Sequence, residues 1–177
     1  MASFTERMMG AAKLNLSTYE EVEADKTATG QAIGVVVLSS VATGIGGAGM
    51  EGVGGMVGGA IGALIGWAFW AWLTYFIGTR ILPTPQTHAD WGELARVLGF
   101  AQSPGLLRIL GVVPVLGPLV LLVTGLWTFV AVVIAVRQAL DYSSTLRAVG
   151  VCIIGWVVQG LLIFFMGFFL PGGHSSF

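Results

Sequence analysis

The sequence predicts an all-α fold: a polytopic membrane helical bundle of five transmembrane helices, with the N-terminus cytoplasmic and the C-terminus outside. Of the 177 residues, 55% are hydrophobic and 10% are charged, whereas an ordinary soluble domain has about 25% charged residues. Five apolar stretches are long enough to cross a hydrocarbon core of about 30 Å. Lys and Arg lie in alternate connections between these stretches, as the positive-inside rule requires. Much of the chain is therefore expected to face lipid.

Residues 1–28 are expected to form a cytoplasmic tail with one short interfacial helix. Apolar residues recur at helical spacing near the start of the chain, while Arg7 and Lys13 fall on other faces, as in a helix that lies along a membrane surface. Ser17 or Thr18 is expected to cap a second helix that leads into the first span.

Residues 29–171 are expected to form the membrane domain, and residues 172–177 an outer tail. The approximate spans are 30–49, 53–77, 93–113, 117–136 and 148–170. The third span is the weakest prediction, because it contains a charged residue and a proline within its apolar run. Charge placement nevertheless favours five spans, since with four spans Arg137 and Arg147 would move to the outer side.

A glycine-rich segment around the start of the second span allows two interpretations. Residues 44–49 read GIGGAG and match the G-x-G-x-x-G pattern of dinucleotide-binding loops. However, no βαβ pattern follows, and no carboxylate lies about 20 residues further on to bind a ribose. Nucleotide binding is therefore not expected.

The second interpretation is a helix face without side chains. Every fourth residue along part of the second span is a glycine: Gly54, Gly58, Gly62 and Gly66. Repeated G-x-x-x-G patterns let helix backbones approach closely in lipid. We expect this stripe to be buried against protein, most simply within the same chain, with a second copy as the alternative partner.

Arg108 is the main intramembrane polar candidate, because a cation at the bilayer centre costs at least ~2.5 kcal/mol. Glu51 is the one acidic residue predicted on the same side of the membrane, so we expect these two side chains to pair. The alternatives are a side chain that snorkels to the surface, or a site for a substrate or a lipid headgroup.

Pro104 predicts a kink in the third span, because it cannot donate a hydrogen bond to the carbonyl of Phe100. Transporters use broken helices to expose backbone groups to ions and substrates. A plain kink satisfied by neighbouring groups is the simpler expectation.

The cytoplasmic connections carry charged residues that form a candidate docking surface for a partner, with an ordinary anchoring loop as the alternative. These residues are Arg80, Glu93, Arg96, Arg137, Asp141 and Arg147. Asp141 is expected to pair with one of the two neighbouring arginines, and Glu93 to form a capping box with Asp90.

No combination of residues indicates a catalytic centre, a cofactor or a metal site. His88 and His174 are predicted on opposite sides of the membrane, and Cys152 has no visible base partner. A net charge of −1 with scattered basic residues does not favour nucleic-acid binding. Gln159 in the fifth span is expected to make an interhelical hydrogen bond.

Several segments resemble the prokaryotic branch of the Yip family, the Ypt-interacting proteins of membrane traffic. They are WAWLTYFIGTRIL (70–82), ELARVLGFAQSP (93–104), LWTFVAVVIAVRQAL (126–140), STLRAVGVCIIGW (144–156) and the acidic lead-in STYEEVEAD (17–25). The resemblance implies a five-span helical domain with a cytoplasmic N-terminus, in a prokaryotic inner membrane. Eukaryotic relatives engage small GTPases through a long cytoplasmic region, whereas this chain has only about 28 residues there, so GTPase binding is not an expected role.

We therefore expect a non-enzymatic integral membrane scaffold or accessory subunit that assembles with itself or with other membrane proteins through glycine-rich helix faces. The alternative is a small transporter or channel with a site near Arg108 and the kink at Pro104. A continuous polar cavity leading to Arg108 would favour transport, and an exposed flat glycine face would favour assembly.

Overall fold

The computed structural model describes residues 2–46, 52–113 and 115–169. Within these residues the chain is helical and contains no β-strand. The α-helices are α1 (Phe4–Ala12), α2 (Leu16–Ala24), α3 (Thr29–Gly46), α4 (Gly52–Phe76), α5 (Trp91–Phe100), α6 (Gly117–Ala139) and α7 (Thr145–Phe169). A 3₁₀ turn (Lys26–Ala28) precedes α3, a π-helical turn (Ile77–Ile81) extends α4, and a 3₁₀ helix (Ser103–Val112), here called the 3₁₀ segment, follows α5. The all-α prediction is confirmed.

Four helices of the described chain are long and apolar enough to cross a membrane. They cover Lys26–Gly46, Gly54–Ile81, Gly117–Ala139 and Thr145–Leu162. The third predicted span is not a continuous helix: α5 and the 3₁₀ segment occupy it, and neither is long enough to cross a bilayer alone.

We refer to α5 and the 3₁₀ segment together as the third segment, and its interruption lies beside Pro104. α5 ends at Phe100, and the 3₁₀ segment begins at Ser103. Pro104 has no N–H to donate to the Phe100 carbonyl oxygen. The Ser103 hydroxyl donates to this oxygen instead, at 2.6 Å.

The third segment runs alongside α3 in the same direction, and small residues mark each point of contact. Gly99 lies against Ala32, where a β-carbon on the glycine would be 2.8 Å from that of the alanine. Six residues later, Gly105 lies against Ser39, and the end of α3 at Gly46 packs on the backbone of the 3₁₀ segment. Close backbone packing of this kind is the main gain available to helices in lipid.

The N-terminal helices α1 and α2 form a layer that Arg7 holds together. Its guanidinium donates to Glu21 at 2.8 Å, to Asp25 at 2.7 Å and to Gln31 at 3.1 Å. Hydrogen bonds from Thr27 and Arg7 lower the pKa of Asp25 to about 2. The face of α1 that carries Arg7 is therefore buried against protein, because α2 folds back over α1 and places carboxylates beside this side chain.

Contacts with the membrane helices fix this layer in place. The Trp127 indole donates to the Ala12 carbonyl at 2.8 Å. The Phe4 ring packs edge-on against Phe100, with centroids 6.5 Å apart, and also lies over Gly34. Residues 2–28 are therefore packed against the bundle, and α1 supplies these contacts.

Side-chain caps define where two of the helices start. Asp90 and Glu93 form the predicted capping box: each side chain accepts from the other residue's N–H, at 2.8 and 2.7 Å. For α2, the prediction of Ser17 or Thr18 as the cap is wrong. Asn15 is the cap and accepts from the N–H of Ser17 at 3.0 Å, since an asparagine caps at least as well as serine or threonine.

Candidate functional site

A cleft of about 1090 Å³ lies between α3 and α4 on one side and α6 and α7 on the other, and we refer to it as the cleft. The indole of Trp70 is part of its lining and also packs against α7 at Gly155. Much of its apolar wall comes from α6 and α7: Leu121, Leu122, Gly125, Leu126, Phe129 and Trp156. Leu122 and Trp156 are 61% and 54% exposed, so this wall continues onto the outer surface of the bundle.

The polar side of the cleft is formed by α3 and by the third segment. Ser39 and Thr43 contribute hydroxyls, and Gln102 and Arg108 contribute an amide and a guanidinium. Arg108 donates to the Thr43 hydroxyl at 3.3 Å, and it makes no ion pair among residues 2–46, 52–113 and 115–169. Glu51 lies outside the described residues, so its pairing with Arg108 stays a prediction.

The helical period of the 3₁₀ segment explains how Arg108 reaches the cleft. A 3₁₀ helix repeats every three residues, so Gly105, Arg108 and Gly111 lie along one edge. That edge faces α3, because Ser39 contacts Gly105, and Gly46 contacts both Gly111 and the Arg108 carbonyl. Glycines on both sides bring the backbone close to α3 and leave room for the guanidinium.

Thr128 of α6 adds an unsatisfied polar group to the cleft. It is 7% exposed and lines the cleft, and its hydroxyl has no hydrogen-bond partner in the part of the chain that the structure describes. One turn earlier, Thr124 makes the usual bond to the carbonyl of Val120, at 2.7 Å. A buried hydroxyl without a partner costs about 1–3 kcal/mol, so Thr128 is an unusual residue in the wall of the cleft.

Gln159 of α7 also lines the cleft. The interhelical hydrogen bond expected of its side chain is not present among the described residues. Its position instead adds an amide to the lining of the cleft.

The predicted glycine stripe of α4 is not packed against the described chain. A β-carbon added to Gly54, Gly58, Gly62 or Gly66 would meet no atom within 4 Å. The first three are exposed, and Gly66 lines the cleft. Packing within the chain, the simpler expectation, is therefore wrong for the described residues, because the close approach to α3 is made by the third segment instead.

The candidate docking residues do not share one environment. Arg96 is 4% exposed and donates to the carbonyls of Val22 and Glu23 at 3.1 and 3.2 Å. It therefore ties α5 to the N-terminal layer, while Arg80 is exposed and Glu93 serves its own helix cap.

The expected ion pair of Asp141 is not formed among the described residues. Arg137 donates to the Tyr142 carbonyl at 3.2 Å, and Arg147 donates to the Pro83 carbonyl at 3.1 Å. Asp141 sits in a left-handed turn with φ of 52°, a conformation that aspartate tolerates better than most residues. Both arginines thus brace loop backbone at this end of the bundle.

Glu23 stands in an acidic environment at the same end. Burial, followed by the charges of Asp141 and Glu93, raises the pKa of Glu23 to about 7, although Arg96 opposes the shift. This carboxyl group therefore titrates near neutral pH.

Three features of this region were missed from the sequence: the 3₁₀ edge, the role of Arg7 and the orphaned hydroxyl of Thr128. The first had a readable signal, because Gly105 and Gly111 are six residues apart, which is two turns of a 3₁₀ helix, with Arg108 midway between them. The role of Arg7 and the unsatisfied hydroxyl of Thr128 depend on residues distant in sequence, so no signal in the sequence indicated them.

The groups that meet in the cleft favour binding of an amphiphilic molecule, with charge and hydrogen-bonding groups at one side and apolar surface at the other. Within the described ranges, no three or more His, Cys, Asp and Glu residues come together as a metal site. Cys152 is buried, and His174 lies outside the described residues.

Comparison with known proteins places this architecture in a family. The profile of the Yip1 domain matches residues 17–167, from α2 to near the end of α7. No curated protein and no solved structure matches the chain. The match covers the acidic lead-in and all the membrane helices, and the chain therefore belongs to the Yip1 domain family of integral membrane proteins.

Proposed function

We propose that this protein is a non-enzymatic membrane scaffold or accessory subunit that assembles through the glycine face of α4. The partner is a second copy or another integral membrane protein. The observation that carries the proposal is the open row of Gly54, Gly58 and Gly62, where an added β-carbon meets no atom of the described chain within 4 Å.

The surroundings of this row support assembly. Val57, Ile61 and Ile65 follow the glycines three residues on and are 54%, 54% and 66% exposed, so large side chains border a groove without side chains. Glycine weakens a helix by about 1 kcal/mol per residue relative to alanine. Contact with another backbone in lipid offsets that loss, whereas acyl chains fill such a groove less well.

The topology is part of the proposal. α5 contributes about 15 Å and the 3₁₀ segment about 20 Å, together enough to complete a third crossing of a core of about 30 Å. Five crossings put the N-terminus and the basic connections on the cytoplasmic side of a prokaryotic inner membrane, and the C-terminus outside.

Cysteine labelling in cells tests this topology. In a Cys152→Ala background, a cysteine at Val115, which is 89% exposed, should react with an impermeant maleimide added from outside. A cysteine at Ser144 should react only after the membrane is permeabilised. Labelling of both positions from outside would contradict five crossings.

Assembly is tested by substituting the glycine face. Gly58→Leu and Gly62→Leu fill the groove, and at both positions an added β-carbon meets no atom of the described residues within 4 Å, so folding should be retained. In nanodiscs made by gentle extraction, the wild type should be an oligomer or should carry a reproducible partner. Single-molecule photobleaching counts the copies of this chain, and mass spectrometry identifies any other protein. Both variants should release that partner.

Gly160→Leu in α7 is the matched control, because an added β-carbon here also meets no atom of the described chain within 4 Å. The control should keep the partner. The proposal fails if the wild type is monomeric without a companion, or if Gly58→Leu and Gly160→Leu behave alike.

The cleft beside Arg108 is the observation that favours the alternative, a small transporter with a site at Arg108 and Pro104. Its long wall of aliphatic and aromatic side chains favours an organic anion over a hydrated ion as the substrate. Anion flux into reconstituted vesicles that is lost in Arg108→Gln and kept in Gly58→Leu would support transport over assembly.

A further inference from the structure

Among the described residues that line the cleft, Arg108 is the one with a charged side chain, and its position suits an anion. The Arg108 guanidinium carries five N–H donors, and its one hydrogen bond within the described residues is the 3.3 Å contact with Thr43. A positive charge at membrane depth is stabilised by an anion that it can bond in a bidentate manner, as carboxylates and phosphates are.

The remainder of the cleft suits an acyl chain. Leu121, Leu122 and Leu126 form an apolar wall, and they are 40%, 61% and 60% exposed. Opposite them, Gly59 and Ala63 of α4 leave the space open. A hydrocarbon chain that enters from the surrounding bilayer can therefore lie along this wall without crossing a polar barrier.

The interior offers further partners for a polar headgroup. Thr128 lines the cleft with a buried hydroxyl that has no partner in the described chain, and Gln102 and Gln159 also line it. A volume of about 1090 Å³ lies just above the range of roughly 300–1,000 Å³ for small-molecule sites. A bare phosphate ion would leave the apolar wall unfilled.

We propose that the cleft binds one membrane lipid with an anionic, phosphate-containing headgroup, with its phosphate against Arg108 and an acyl chain along the wall formed by α6. The lining of the cleft includes Gly59 and Gly66 of α4, but it does not include Gly54, Gly58 or Gly62, which carry the proposed assembly. The lipid site is therefore independent of the proposed assembly.

Native mass spectrometry of the full-length protein tests the site directly. Delipidated protein in detergent is titrated with dioleoyl phosphatidylglycerol or with dioleoyl phosphatidylcholine, which has the same chains but no net charge. One saturable adduct should form, with the anionic lipid bound about tenfold more tightly. Arg108→Gln should abolish that preference, whereas the control Arg80→Gln, which removes an exposed arginine, should keep it.

Gly125→Leu provides a second variant that leaves the cation in place. Gly125 lines the cleft, and an added β-carbon meets no atom of the described chain within 4 Å. The leucine side chain should therefore occupy part of the cleft without disturbing the fold. It should weaken binding of both lipids about equally, while helical content and melting temperature stay at the wild-type values.

Several outcomes would overturn the proposal. These are equal binding of the two lipids by the wild type, an unchanged preference in Arg108→Gln, or unweakened adducts in Gly125→Leu. Displacement of phosphatidylglycerol by millimolar inorganic phosphate would assign the cleft to a free anion. If the preference for phosphatidylglycerol appears only in Glu51→Gln, the Glu51 carboxylate pairs with Arg108 in the wild type and excludes the lipid. Unchanged lipid binding in Gly58→Leu is expected, so failure of assembly and failure of this site are distinguishable.

Discussion

Replacement of Arg7 by methionine should detach the N-terminal layer from the rest of the protein. Methionine keeps most of the volume of the side chain, but it leaves Glu21 and Asp25 without their cation. The guanidinium is 2% exposed and makes hydrogen bonds of 2.7 to 3.1 Å to three residues. Removal of one partner from a buried ion pair costs about 3–5 kcal/mol. Glu21 is 39% exposed and can be rehydrated. We therefore expect the N-terminal layer to lose stability at the lower end of this range, about 3 kcal/mol at pH 7.

Hydrogen exchange of the protein in nanodiscs measures this loss locally. Amides of α1 and α2 should exchange about 100-fold faster in Arg7→Met, since each 1.4 kcal/mol corresponds to a factor of ten. The exchange rate in Arg7→Lys should lie between those of the wild type and Arg7→Met, because the lysine ammonium keeps the charge but lacks the planar guanidinium. The control is Lys13→Met, which removes an exposed charge at the end of the same helix and should leave exchange unchanged.

The pH dependence follows from the carboxylates. Arg7 lowers the pKa of Glu21, and Thr27 and Arg7 together lower that of Asp25 to about 2. A lowered carboxyl pKa contributes stability that is complete above the unfolded pKa of about 4 and is lost as the pH falls toward 2. The difference between wild type and Arg7→Met should therefore shrink below pH 4. Equal exchange in Arg7→Met and Lys13→Met at pH 7 would refute the reasoning.

Three further predictions concern stability, measured by thermal unfolding of the detergent-solubilised protein. The raised pKa of Glu23, about 7 against an ordinary 4.5, means that stability falls as the pH rises through this interval. Glu23→Gln should therefore be more stable than wild type at pH 8, by at most ~3 kcal/mol, and equal to it at pH 4; a constant difference across this range would argue against the titration. Gly105→Leu should destabilise by about 1–3 kcal/mol because its side chain would collide with Ser39, and an unchanged melting temperature would contradict the close packing of the 3₁₀ segment on α3. Asp90→Ala removes one half of a capping box and should cost about 1 kcal/mol, whereas Asp90→Asn should cost little.

The parts of the fold that depend on nearby residues could be predicted. Apolar runs predict membrane helices because a backbone in lipid must satisfy its own hydrogen bonds, whatever its neighbours are. The capping box joins Asp90 and Glu93, which are three positions apart, and the break at Pro104 follows from one missing N–H. The Yip resemblance likewise rested on local segments, and the family match confirms it.

The candidate site could be predicted only in part. Arg108 was recognised because a cation in an apolar run is costly anywhere in a bilayer. The cleft beside it requires four helices at a particular separation, and its orphaned hydroxyl at Thr128 is visible only once those helices are placed. Arg7 reaches carboxylates 14 and 18 residues further along the chain, a pairing that no helical period indicates.

The sequence by itself determined that this chain is an α-helical membrane protein, where most of its helices lie, and which of its residues are unusual in such surroundings. The tertiary structure decided which glycines serve to pack helices together: those of the third segment lie against α3, while the regular row on α4 is left open. The physical reason is that α4 is apolar on all its faces, so hydropathy does not distinguish an inward face from an outward one. The choice depends on which neighbouring backbone comes close enough to contact it, and that distance is a property of the assembled bundle.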